Sequence, residues 1–202
     1  MSNWIPLNNK AKYDLMDSIS ANIAKIENME RDFLPNLRTD SQLLLISDYA
    51  GKHKQARFHI LSYLLADSPG TLRIWDHKRK AIRQEFLQDG RRIAFKQLGD
   101  KQKQKALGPF LASASFINGV LFCVAIDKRI KSISFDGLPS RLDIAKWSQL
   151  PWSPRVFERL IRVLHFGSFL VAGLYRPGQD LHWIMDEDEI IANEHFNRMS
   201  AA

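Results

Sequence analysis

Leu43-Leu44-Leu45-Ile46-Ser47-Asp48-Tyr49-Ala50-Gly51 is the stretch on which the fold turns. Four consecutive large apolar residues running into turn formers read as a buried strand, with Asp48 to Gly51 as its end and turn. Lys52 to Gln55 form a polar tip, and Arg57 to Leu65 reads as a second strand. So close a spacing predicts an antiparallel hairpin. Upstream, Leu15, Ile19, Ile23, Ile26 and Phe33 recur at helical spacing, so 13–33 is expected to be helical, with Pro35 as its stop. Residues 1–40 are therefore expected to form an N-terminal helical extension, and 41–202 a single domain.

Downstream, Asp67-Ser68-Pro69-Gly70 breaks the chain. From Thr71 to Leu87 the spacing is helical: Trp75, Ile82 and Phe86 share one face, and Arg73, Lys80 and Arg83 the opposite one. Arg91 to Leu98 reads as a third strand. Gly99-Asp100 opens a basic helix, broken or restarted at Gly108-Pro109 and ending near Asn118-Gly119. Val120 to Ile126 is the fourth strand, closed by Asp127, and an irregular linker covers 128–151. Ser153-Pro154 combines an N-cap with proline at the first helical position. The helix it starts is expected to reach about Leu170 and to turn Phe157, Leu160, Ile161 and Leu164 inward. Pro177-Gly178 turns into a fifth strand, Leu181 to Met185, and a last helix from Asp186 carries Ile190, Ile191 and Phe196. A three-strand meander followed by alternating helix and strand defines an α/β, ribonuclease H-like mixed sheet with helices on both faces, one helix being inserted between strands two and three.

Composition narrows the function. The chain has 202 residues, enough for one sizeable core, and 45% of them are apolar. Its longest apolar runs fall short of the ~18 residues of a membrane helix, and the start has no signal-peptide layout. A single cysteine, Cys123, excludes a disulfide framework and a cysteine-rich zinc site. Its place within a strand predicts a buried thiol in a reducing, cytoplasmic setting. The net charge is +7, yet 52–105 alone holds fourteen Lys or Arg against five acids, a local +9. Such a basic middle third is either a footprint for phosphates or a solubilising surface. Arg73, Lys80, Arg83, Lys96, Lys101, Lys103 and Lys105 are its candidate contacts with nucleic acid; DNA and RNA both fit.

Several passages resemble a large, mostly bacterial family of ribonuclease H-like proteins of unassigned activity, whose first strand ends in Asp-Glu-Ser-Gly. Ile46-Ser47-Asp48-Tyr49-Ala50-Gly51 keeps that Asp and Gly and replaces the Glu and Ser. Similar passages are Arg91 to Leu98 with its Lys96, the basic helix after it, Val120 to Lys128, and the acidic segment His182 to Asn193. The similarity spans roughly 43–194. It implies a two-metal nuclease fold, and family members often continue past the point matching Ala202. It also implies an alternative context, a binding or scaffold module in a mobile-element or phage-defence system.

Two-metal phosphodiester cleavage needs oxygen ligands converging within ~4 Å of a metal pair, and carboxylates suit Mg²⁺ or Mn²⁺. If strands one and four are neighbours, Asp48 and Asp127 stand side by side at their ends, and Asp186 and Asp188 reach the same edge. These four are the candidate catalytic and metal-binding residues. Each has a structural counterpart: a turn for Asp48, a strand-end ion pair for Asp127, and a capping box for Asp186 with Glu189. His182 and Lys96 are candidates for leaving-group and phosphate contacts, although a packed histidine and a surface lysine are the more common roles for such strand residues. Trp75, Trp147, Trp152 and Trp183 are able to stack on bases or pack in a core. The leading expectation is a divalent-metal nuclease, the alternative a non-catalytic nucleic-acid-binding protein.

Overall fold

The computed structural model describes residues 2–6, 15–89, 98–130 and 154–185. Within them lie helices α1 (Leu15–Met29), α2 (Pro69–Phe86), α3 (Lys101–Ala114) and α4 (Pro154–Leu174). The strands are β1 (Gln42–Ala50), β2 (Phe58–Asp67), β3 (Gly119–Asp127) and β4 (Asp180–Met185). They form one mixed sheet in the order β3-β2-β1-β4, with β2 antiparallel to both β1 and β3, and β4 parallel to β1. The chain is thus α/β, and the expected β1–β2 hairpin is present. Gly51 closes β1 at a positive φ of 82°, and a Cβ there would strike the carbonyl oxygen of Phe58. Only glycine accepts both demands.

The identities of two sheet neighbours differ from expectation. Gly119–Asp127, expected beside β1, instead closes the meander against β2, and the place beside β1 belongs to β4. The cause lies in the insertion. β2 runs into α2, and α3 brings the chain back to the end of β2 that it left, which suits an antiparallel partner. The expected strand 91–98 falls outside the described residues except Leu98, which sits in a turn; the helix expected from Asp186 also falls outside them.

One face of the sheet carries the main core. Leu43 and Leu45 of β1, Leu61, Tyr63 and Leu65 of β2, and Ile126 of β3 meet Leu160, Val163, Phe166, Phe169, Leu170 and Leu174 of α4. Leu164, expected inward, is 37% exposed, because the buried stripe of α4 runs through Val163 and Phe166. Tyr63 donates its hydroxyl to the carbonyl of Val163 at 3.0 Å, which satisfies the one polar atom this ring buries. Gly167 lets α4 approach Trp183 and Tyr63 closely.

The N-terminal residues share this core. Trp4 is 2% exposed, stacks obliquely on Phe169 at 5.4 Å and donates Nε1 to Ser20 Oγ at 2.9 Å. Gly173 leaves room for its ring. Glu27, buried on α1, accepts from Ser2 Oγ, Asn3 N and Trp4 N. Burial opposes its ionisation, but these donors and Arg38 outweigh it and hold its carboxyl below the usual range. Leu15 is left 61% exposed, and the inward face of α1 is Met16, Ser20 and Glu27. Ile19 and Ile23 of the expected stripe do pack against the main core, and Ser20 and Glu27 are buried beside them because they bond residues 2–6.

α2 and α3 form a second, smaller cluster from Ile82, Leu87 and Ala106, with Phe86 and Phe110 against it and Trp75 edge-on to Phe110 at 5.1 Å. α3 passes unbroken through Pro109, which costs one backbone bond; packing at Ala106 and Phe110 on either side holds the helix together.

Candidate functional site

Of the four expected carboxylates, Asp48 and Asp127 lie in the described residues, and these two stand apart. Asp48 is exposed on β1 and its Oδ1 accepts from Tyr49 N at 2.9 Å. It pairs across β2 with Ser62, which pairs with Cys123 of β3. Asp127 lies four residues beyond Cys123 and two strands from Asp48. With about 4.8 Å between strands and about 3.3 Å per residue, the two Cα atoms stand about 16 Å apart, far too distant to share a metal pair. Asp127 is also occupied: Arg129 donates to it from Nη2 at 2.8 Å, Nε at 3.0 Å and N at 2.9 Å, and Arg57 adds Nε at 3.3 Å. Arg129 above all holds this carboxyl far below the usual carboxylate range. The strand-end ion pair is the role that this geometry gives it. Asp186 and Asp188 lie outside the described residues. Among the described residues no three His, Cys, Asp or Glu side chains are grouped as metal ligands. Cys123, expected buried, is exposed, since it alternates to the face opposite the core.

The basic candidates divide. Arg73, Lys80, Lys101 and Lys105 are exposed on α2 and α3, Lys80 paired with Asp76 at 2.5 Å. Arg83 is half-buried, Lys103 is buried between elements and cannot face a polyanion, and Lys96 lies outside the described residues. Trp75 and Trp183 are packed, the latter donating Nε1 to Ser47 Oγ at 3.0 Å; Trp147 and Trp152 lie outside the described residues. His182 is exposed on β4.

A different constellation stands at the end of the sheet opposite α2 and α3. There the ends of β1 and β3 and the start of β2 meet the first turns of α4, enclosing a cleft of about 690 Å³. Lys52, Lys128, Arg155, Arg159 and Arg162 line it with His59, and Glu158 is the one acid among the lining residues. Their formal charge is +4 with His59 neutral. The floor is apolar, from Leu61, Ile126 and Val156. Arg162 is buried and fixed: Nε donates to Glu158 Oε1 at 2.8 Å and Nη2 to the Ile130 carbonyl at 2.8 Å. Arg159 lies over the Tyr49 ring at 5.4 Å. Lys128 donates Nζ to the His53 carbonyl at 2.6 Å, which positions the ammonium without neutralising it. His59 is pushed down by burial first, then by Lys128, Arg162, Arg155 and Arg159. A partly buried site that disfavours a further positive charge favours an anion.

The signal for this cleft was present in the sequence. Arg155, Arg159 and Arg162 fall at helical spacing on one face of α4. What joined them to Lys52, His59 and Lys128 was strand register, which composition does not carry.

Comparison with known proteins returns no matching family model, no matching curated protein and no matching solved structure. Function therefore rests on the site itself.

Proposed function

We propose that this chain is a nucleic-acid-binding protein whose phosphate site is the cationic cleft under α4. The formal +4 of the cleft-lining residues is the observation that carries it. The net charge of +7 supports it, since a polyanion is drawn to such a field before contact. A meander with a parallel strand added beside β1 supports a ribonuclease H-like relationship as the finer description of the fold.

A metal-dependent nuclease is the second reading, favoured by one observation. β1 and β4 pair in parallel as far as Ser47 with Met185. The residue that follows each of these in the sequence is an acid, Asp48 and Asp186, the latter outside the described residues. Asp188 follows, and Mg²⁺ or Mn²⁺ is the ion such carboxylates would take.

The test is fluorescence anisotropy of labelled single-stranded DNA and RNA, in EDTA and in Mn²⁺. Salt-sensitive binding that persists in EDTA is the expected result. Cleavage in Mn²⁺ that disappears in Asp48→Ala would install the nuclease reading instead.

A further inference from the structure

The cleft has the dimensions of a small-molecule site. Pockets that enclose small ligands span about 300 to 1,000 Å³, whereas a specific DNA interface buries about 1,000 to 2,500 Å² of protein. At about 690 Å³ it has room for one or two nucleotides and not for the side of a duplex. Its cations converge from three sides: Lys52 follows β1, Lys128 follows β3, and Arg155, Arg159 and Arg162 descend from α4. Convergence favours a charge concentrated at one point over charges strung along a strand. A phosphodiester brings one negative charge per nucleotide; a phosphomonoester brings about 1.5 to 2 on three acceptor oxygens near neutral pH. The apolar floor of Leu61, Ile126 and Val156 would take the sugar or base attached to it.

We propose that the cleft is a phosphomonoester site that takes a terminal phosphate with its first nucleotide. The group is carried either by the end of a strand or by a free nucleotide. Arg162, pinned by Glu158 and the Ile130 carbonyl, is the fixed guanidinium, and Arg155 is the exposed one among the lining arginines. The proposal rests on the cleft being the nucleic-acid site.

The experiment compares one short single-stranded oligonucleotide carrying a 5′ phosphate, a 3′ phosphate or hydroxyls at both ends, with adenosine monophosphate as competitor, on the full chain. Binding of one phosphorylated form about tenfold tighter than the hydroxyl form is expected, with the preference lost in Arg155→Ala and in Lys128→Ala. Competition by the monophosphate at concentrations where adenosine has no effect supports the proposal too. If the monophosphate binds through Arg155 and no oligonucleotide does, the ligand is a free nucleotide. Equal affinity for all three strands, reduced by Arg155→Ala, would overturn the end-site proposal and leave nucleic-acid binding standing. No binding of any probe would remove both.

Discussion

His59 reports on the cleft at the scale of one residue. Burial and four surrounding cations depress its protonation in the folded protein. In the unfolded chain an imidazole titrates near about 6.5. The native state therefore stays neutral where the unfolded state takes a proton, so folding stability falls as pH drops from about 6.5 through the lower folded value. A proton NMR titration should show the His59 midpoint below the ordinary histidine range, moving up when inorganic phosphate is added. A midpoint at the ordinary value, unmoved by phosphate, would mean that the cations do not surround this ring. Single residues were the hardest scale to read from sequence. Asp127 carries the same turn-and-basic context for a metal ligand as for an arginine clamp, and only the register of Phe58 against Asp127 brings Arg57 to it. Glu27 and Ser20 look solvent-facing in an apolar-periodicity plot, yet both are buried because they bind the backbone and indole of residues 2–6.

Secondary-structure elements were more readable, because their signals are local. The antiparallel hairpin, the helix beginning at Pro154 and the strand after Pro177-Gly178 all follow from apolar runs and turn formers. The start of α2 shows what such signals miss. Its N-cap, Ser68, makes no side-chain capping bond. Asp67, the last residue of β2, supplies one instead: its Oδ1 accepts from Thr71 N at 3.1 Å and from the Thr71 hydroxyl, and its Oδ2 from Asn118 Nδ2 at 3.3 Å. Asn118 N donates in turn to Thr71 Oγ1 at 3.2 Å. This buried carboxylate fastens the α2–α3 pair where β2 leaves the sheet and β3 enters it. Asp67→Ala would strand those donors, and chemical denaturation should show a loss of about 2–3 kcal/mol. A loss within experimental error would show that the helices are held by Ile82, Leu87 and Ala106 alone. The same insertion explains the unexpected neighbour of β1: a helical hairpin that returns to its origin closes a meander, and nothing in the local pattern of 119–127 distinguishes that from a crossover.

At the scale of the whole molecule, basic residues are divided between two ends of one sheet. α2 and α3 stand where β2 ends, with Arg73, Lys101 and Lys105 exposed; the cleft stands where β2 begins. β2 is ten residues long, so the two sites are about 30 Å apart. The charge count between 52 and 105 pointed mainly to the first site, whereas four of the five cleft cations lie outside that span. The most direct test of the cleft as the phosphate site reverses one charge at each end, Arg155→Glu and Arg73→Glu, and measures affinity for a single-stranded oligonucleotide across a salt series. Arg155→Glu is expected to weaken binding about tenfold and to flatten the logarithmic salt dependence by about 0.7 for each phosphate that the protein no longer neutralises, with Arg73→Glu close to wild type. Unchanged binding in Arg155→Glu, together with weakened binding in Arg73→Glu, would contradict the account and move the site to α2.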